Sequence, residues 1–238
     1  MKKSTLILTV LFVISGIFYY QLTTTELPQN NLELHIVTRI IDGDTIELAN
    51  SQKVRLKGIN TPEKGDYFSS DATNFLKETI ENKTIQLENH GTDKYGRTLG
   101  YVFYKDKNIN KEILNQGLAT LYYYGQDDHY DELKKAEEFV KMNQKGLWKE
   151  SQNKHCVELL ELKYKESPKR CTNNELIRIK NNCNFDIEAT LKDDATHIYK
   201  INLKANQIFE QNFSCIWNND GDTVYAWDKQ GLLIFYRY

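Results

Sequence analysis

Between Leu34 and Tyr104 the chain is a succession of short β-type runs, Leu34 to Ile41, Thr45 to Leu48, Lys53 to Ile59, Thr84 to Leu87 and Leu99 to Tyr104. Most are separated by Gly, Asn or Asp turn signals, which is how strands are punctuated. In Lys53-Val54-Arg55-Leu56-Lys57 apolar and basic residues alternate, so Val54 and Leu56 face a core and Arg55 projects from the opposite face. Three helical patterns accompany them. Ala72, Phe75, Leu76 and Ile80 form one stripe over Asp71 to Asn82, with Ser69 and Ser70 as candidate caps. Ile109, Ile113 and Leu114 form a second that stops at Gly117, and Leu133, Ala136 and Val140 a third that stops at Gly146. After Lys149 helical periodicity fades. Leu176 to Lys180, Ile187 to Leu191, Thr196 to Leu203, Ile208 to Phe213, Val224 to Trp227 and Leu232 to Tyr236 read as strands of a separate β-sandwich.

A chain of 238 residues accommodates one or two domains at ~150 residues each. The expected division is 1–21 as a signal peptide or membrane anchor, 22–32 as a linker, 33–150 as the mixed domain, 151–170 as a second linker and 171–238 as the sandwich. Lys2 and Lys3 precede an apolar run from Leu6 through Tyr20, which suits export or surface anchoring and makes a secreted or cell-surface location the expectation. Cys156, Cys171, Cys183 and Cys215 contain no CxxC pair, so disulfides are expected over zinc. Three connectivities are open, and the working choice is Cys156 with Cys171 and Cys183 with Cys215. The formal net charge is only −2, and 151–238 carries twelve basic against twelve acidic residues. Any affinity for polyanions must therefore come from local charge. The five histidines, His35, His90, His129, His155 and His197, show no metal-ligand spacing and are expected at the surface.

Two segments concentrate reactive side chains. The first holds Asp42-Gly43-Asp44-Thr45, Arg55 and Asn60-Thr61-Pro62-Glu63; the second is Asp93-Lys94-Tyr95-Gly96-Arg97-Thr98-Leu99-Gly100-Tyr101-Val102-Phe103. Asp44 and Glu63 offer a seat for a hard cation and a base for water, while Arg55 and Arg97 offer fixed positive charge. That combination suits hydrolysis of a phosphodiester. Asp-Gly-Asp-Thr alone is ordinarily a turn. The chain repeats it at Asp220-Gly221-Asp222-Thr223 with no Thr-Pro-Glu following, and that copy is expected to be a hairpin turn.

With these motifs and the Gly146-Leu147-Trp148 ending, residues of about 34 to 150 resemble a staphylococcal-nuclease-like (thermonuclease) domain. The resemblance implies a five-stranded OB-type barrel with three helices and calcium-dependent cleavage of DNA and RNA. Asp44, Asn60 and the Thr61 carbonyl would bind calcium. Glu63 would activate water, Arg55 and Arg97 would hold the phosphate, and Lys94, Tyr95 and Tyr123 would line the nucleotide pocket. The family usually has an aspartate where this chain has Asn60, so weaker calcium binding is expected. The stretch between Glu63 and the Ala72 helix is also shorter than in the best-known member. The C-terminal segment resembles a lamin-tail domain, an immunoglobulin-like sandwich, through Glu175-Leu176-Ile177-Arg178-Ile179-Lys180-Asn181, Trp217 to Val224 and Asp228-Lys229-Gln230-Gly231. The competing reading of the first domain is a catalytically weak or inactive OB-type nucleic-acid-binding module, which Asn60 would suit. Glu63 with both arginines points to the enzyme, because a binder needs no general base.

Overall fold

A computed structural model describes residues 32–122, 127–164, 175–194, 197–214, 216–218 and 221–238. The N-terminal apolar segment, Tyr123, Cys171, Cys215 and Asp220 lie outside the described residues. Among the described residues no helix is long and apolar enough to cross a membrane.

The first half is a closed barrel. Its strands are β1 (Leu32–Ile40), β2 (Thr45–Leu48), β3 (Lys53–Leu56), β5 (Thr84–Thr92) and β6 (Thr98–Tyr104), with the two-residue β4 (Ile59–Asn60), β7 (Lys107–Asn108) and β8 (Thr120–Leu121) at its margins. The order β3-β2-β1-β5-β6 is closed by parallel pairing of β3 with β6, Arg55 opposite Leu99. Val54 and Leu56 are fully buried, as their alternation requires. Three helices, α1 (Ser69–Ile80), α2 (Ile109–Asn115) and α3 (Tyr130–Met142), complete the OB-type unit. Ala72, Leu76 and Ile80 of α1 enter the barrel core beside Ile46, Leu87 and Val102. Ser69 and Ser70 are not caps. Phe68 takes the cap position with a left-handed φ of 65°, and Ser69 Oγ accepts from Gly65 N at 3.2 Å, bracing the loop that follows Glu63. Gly117 ends α2 as expected, left-handed at φ 69°, its N–H donating to the Leu114 carbonyl and that of Leu118 to Ile113; α3 instead closes on Gln144 at φ 48°, and Gly146 packs against Gly117. A Cβ on Gly146 would stand 2.2 Å from the Gly117 carbonyl oxygen, which accepts from Leu147 N.

The second half is a β-sandwich. One antiparallel sheet has the order β13-β10-β9, and the other β12-β11-β14-β15. These strands are β9 (Val157–Lys163), β10 (Glu175–Asn181), β11 (Ile187–Lys192), β12 (Ile198–Leu203), β13 (Ile208–Phe213), β14 (Thr223–Asp228) and β15 (Gly231–Arg237). Ile177 and Ile179 of the first sheet share one core with Leu191, Leu203, Val224 and Ala226 of the second. β9 falls inside 151–170, expected as linker. Its alternation is interrupted because the register against β10 shifts near Leu160, a bulge that adds one residue. The second Asp-Gly-Asp-Thr copy is no hairpin turn: it precedes β14, whereas β13 belongs to the other sheet, and Asp222 instead accepts from Asn218 N, Asp194 N and Thr223 N.

The sandwich and barrel share a third apolar cluster, in which Val140, Leu147 and Trp148 meet Tyr225, Trp227 and Leu232. Trp227 Nε1 donates to the Leu147 carbonyl at 2.8 Å. Gly231 leaves room for residues 149 to 151, since a Cβ there would lie 2.3 Å from the Lys149 oxygen.

The expected cysteine pairing is overturned. Cys156 bonds Cys183, because the short 3-10 turn Lys154–Cys156 starts β9 beside the end of β10. Peptide mapping under non-reducing conditions should recover the Cys156 and Cys183 peptides as one species, and finding them separate would refute the pairing.

Candidate active site

The barrel rim gathers the expected residues through strand register. Thr45 pairs with Arg55 across β2 and β3, and Asp44 stands one residue before Thr45. Asp44 is buried at the centre. Its Oδ1 lies 3.1 Å from Arg55 Nε, and its Oδ2 accepts from Thr61 N at 2.9 Å and Thr61 Oγ1 at 3.0 Å. Gly43 is glycine for steric reasons: an added Cβ would approach Ala72 Cβ to 2.6 Å and Thr61 Oγ1 to 2.7 Å.

Arg55 is committed to this framework. Nη1 donates to the carbonyls of Leu56 and Ile59 at 2.6 and 2.8 Å, and Nη2 donates to Asn60 Oδ1 at 3.1 Å. With Nε ion-paired to Asp44, one N–H on Nη2 has no partner among the described residues and can meet a phosphate oxygen. Arg97 is held more lightly. Its Nε donates to Asp93 Oδ2 at 2.8 Å, its Nη1 reaches Thr45 Oγ1 at 3.5 Å, and its guanidinium lies 5.4 Å from the Tyr95 ring centre. Asp93 also accepts from the Arg97 and Tyr95 backbone N–H groups. Burial pushes the Asp93 carboxyl up, but these bonds from Arg97 and Tyr95 outweigh it and hold the group below its ordinary value. Tyr95 is 71% exposed, with Lys94 Nζ and the Arg97 guanidinium both over its ring, an aromatic surface beside two cations. Glu63 is exposed in the loop after β4.

Oxygen donors of Asp42, Asp44, Asn60 and Thr61 converge here, which is the chemistry of a hard divalent cation. Asp42 accepts from Asp44 N at 3.0 Å; burial first, and then the charge of Asp44, push its carboxyl above the usual range. Crowded carboxylates of that kind are relieved by a bound cation, so the residues present fit a metal. Asn60 is shared with the sandwich: its Nδ2 donates to the Asp194 carbonyl at 3.2 Å.

Three contributors escape a reading of the sequence by motif. Asp42 lies inside the first motif but had no role assigned; Asp93 orients Arg97 from four residues away; and Lys192, at the end of β11, lines the same cleft as Asn60 and Thr61. Only the first two carried a sequence signal. Tyr123 cannot be placed, as it lies outside the described residues.

A second cluster corrects the expectation of scattered surface histidines. Glu88 Oε1 lies 2.7 Å from His90 Nε2, and Oε2 lies 3.1 Å from His129 Nε2. Lys57 Nζ approaches His90 Nδ1 at 3.2 Å, so that nitrogen accepts and Nε2 carries the proton donated to Glu88. The lone pair a metal would need on Nε2 is therefore used, and the cluster ties β5 to the start of α3.

Residues 53–150 match the family described as staphylococcal nuclease homologue. Among relatives, a thermonuclease of Staphylococcus intermedius is 34% identical over 128 residues, covering 49% of this chain and 76% of the relative. A micrococcal nuclease of Shigella flexneri is 35% identical over 125 residues, covering 47% and 71%. A protein of Haemophilus influenzae named as an uncharacterized endonuclease is 37% identical over 117 residues, covering 47% and 64%. A closed OB-type barrel, a rim carrying Asp44, Arg55, Glu63 and Arg97, and relatives matched over most of their own length lead to one assignment: the chain belongs to the staphylococcal nuclease homologue family.

Proposed function

We propose that this nuclease hydrolyses phosphodiester bonds of DNA and RNA with calcium, as an exported or surface-anchored enzyme. The observation that carries the chemistry is the single hydrogen-bonded set in which Asp44, Arg55, Asn60 and Thr61 are locked together, with Arg97 reaching Thr45 at its edge. Glu63, exposed beside this set, takes the proton of the attacking water. The water oxygen bonds phosphorus as the opposite phosphorus–oxygen bond breaks, and the departing oxygen is protonated from solvent. Arg97 offers its second amino group, which has no partner among the described residues, to a phosphate oxygen, and Arg55 adds its remaining N–H. Calcium held by Asp44, Asn60 and Thr61 would supply Lewis-acid polarisation of the phosphoryl oxygen. Lys94 and Tyr95 would receive the neighbouring phosphate and base, with Tyr123 as a further contact.

The location rests on Lys2, Lys3 and the Leu6 to Tyr20 run, together with the Cys156–Cys183 disulfide, which suits an oxidising compartment. The sandwich is proposed to be lamin-tail-like on the segments Glu175 to Asn181 and Trp217 to Val224. Cleavage of single-stranded DNA by the purified protein, with calcium or with chelator, tests the function. Turnover indifferent to chelator would sink the calcium mechanism, and retention of DNA without cutting would identify a binding module instead.

Asn60→Asp probes the metal seat. The added charge should tighten calcium binding and move half-maximal activity to lower calcium. The same change removes the donor to the Asp194 carbonyl. Calcium titrations of parent and variant decide it: equal midpoints would mean position 60 does not touch the metal.

A further inference from the structure

A cleft of about 720 Å³ runs from the active-site rim into the junction of barrel and sandwich. Thr61, Pro62 and Tyr67 line it from the barrel, and Thr190, Lys192 and Trp227 from the sandwich. Lys192 is only 8% exposed, and its Nζ donates to the Asp193 carbonyl at 3.0 Å. Burying an ammonium is costly unless neighbouring charge compensates it, so a lysine kept at the edge of a reactive cleft is a candidate for function. Burial pushes its pKa below the ordinary lysine value, and the carboxylates of Asp193, Asp194, Glu63 and Asp44 offset this only in part.

The strand end that presents Lys192 is fixed. Asp194 accepts from Thr223 Oγ1 at 2.9 Å and Tyr225 OH at 3.0 Å, and its backbone N–H donates to Asp222 Oδ1. Asp193 is paired with His197. On the barrel side, Asp66 pairs with Lys200 at 2.5 Å and Asn60 donates to the Asp194 carbonyl. The cleft wall is thus built jointly by both halves of the molecule.

Its lining combines two kinds of chemistry. Pro62, Tyr67, Leu147 and Trp227 give flat apolar surface suited to a base, while Lys192 gives a cation within electrostatic reach of Asp44 and Glu63. Lys94, Tyr95 and Arg97 approach Asp44 by way of Thr45; the cleft approaches it by way of Thr61. A polynucleotide whose scissile phosphate lies at Asp44 would continue from one to the other. We propose that this cleft is a nucleotide subsite for the strand beyond the scissile phosphate, with Lys192 of the sandwich meeting its backbone phosphate. The proposal rests on the nuclease reading above and adds that the sandwich is part of substrate binding.

The test uses the full chain carrying Glu63→Gln, so that binding is read without cleavage. Fluorescence anisotropy compares a labelled single-stranded tetranucleotide with a nucleoside 3′,5′-bisphosphate that fills one position only. Lys192→Met, and separately Thr190→Trp to plug the cleft, should weaken tetranucleotide binding about tenfold or more while leaving the bisphosphate unchanged. Lys192→Met should also make the dependence of log K on log salt shallower by about 0.7, the loss of one single-strand phosphate contact, and Lys192→Arg should restore it. Equal losses for both ligands, no loss for the tetranucleotide, or a parent that binds the tetranucleotide no better than the bisphosphate would overturn the subsite. Wild-type cleavage separates the two claims: if it persists while the binding pattern fails, only the subsite falls; if the wild type cuts nothing, the nuclease reading falls with it.

Discussion

Glu63→Gln and Arg97→Ala are each expected to lower turnover by about 10² to 10³, the usual consequence of removing one preorganised group from a transition state. The fold should survive both changes. Glu63 is exposed in the loop between β4 and α1, and Arg97 is a partly exposed residue whose ion-pair partner is Asp93 in its own turn. Glutamine keeps the size and polarity of Glu63 but cannot accept the proton of water, so kcat should fall more than KM rises. Alanine at 97 removes the guanidinium of the rim whose second amino group has no partner among the described residues, so both kcat and substrate binding should suffer. Arg55→Ala would be a poorer probe. Arg55 ties Asp44, Leu56, Ile59 and Asn60 together, and its loss would disturb the whole rim. Initial rates on single-stranded DNA at saturating calcium, with melting temperatures measured beside them, check the pair of variants; parent-like cleavage by both would mean the site lies elsewhere.

What the sequence made legible follows from how local each signal is. Val54, Arg55 and Leu56 alternate within five residues, and β2 is found over Thr45–Leu48 as its turn-bounded run implies. Asp44, Glu63, Arg55 and Arg97 could be grouped because each sits in a short motif whose residue types have few other uses together. β9 was hidden by one extra residue: the bulge near Leu160 breaks the period of two that marks a strand. The disulfide could not be chosen from spacing, since it depends on the 3-10 turn at Lys154 lying beside the end of β10. Lys192 gave no sign at all. Its neighbours in sequence are Asp193 and Asp194, which look like a solvated charge run, and only the docking of β11 against the rim carries it to Asn60.

Docking of the sandwich can itself be tested at one residue, because Arg237→Ala should destabilise the protein by about 2–3 kcal/mol, less than the loss from a fully buried pair because the Arg237 side chain is 33% exposed, but more than a solvated pair because Glu137 is buried. Glu137 on α3 is 1% exposed. Its carboxylate accepts from Leu121 N at 2.8 Å and from Arg237 Nη1 at 2.8 Å, with Lys141 no nearer than 4.0 Å. Arg237 stands near the end of β15 and also donates to Thr223 Oγ1 at 2.7 Å and Tyr225 OH at 3.0 Å. Burial works against its charge, but Tyr225 and Glu137 outweigh that and hold the guanidinium protonated. Alanine would strand the Glu137 carboxylate with one backbone N–H and a distant ammonium, inside the layer that joins barrel to sandwich. Replacing both partners, Glu137→Gln with Arg237→Met, should cost less than the two single losses added together, since no unpaired charge remains. Tyr225 and Asp194 share the network, so the single variant should also loosen the strand end that holds Asn60 through the Asp194 carbonyl. Urea unfolding of parent, single and double variants measures this directly. A loss below about 1 kcal/mol for Arg237→Ala, the scale of a solvated pair, would mean that Glu137 is hydrated and that the sandwich does not close over α3.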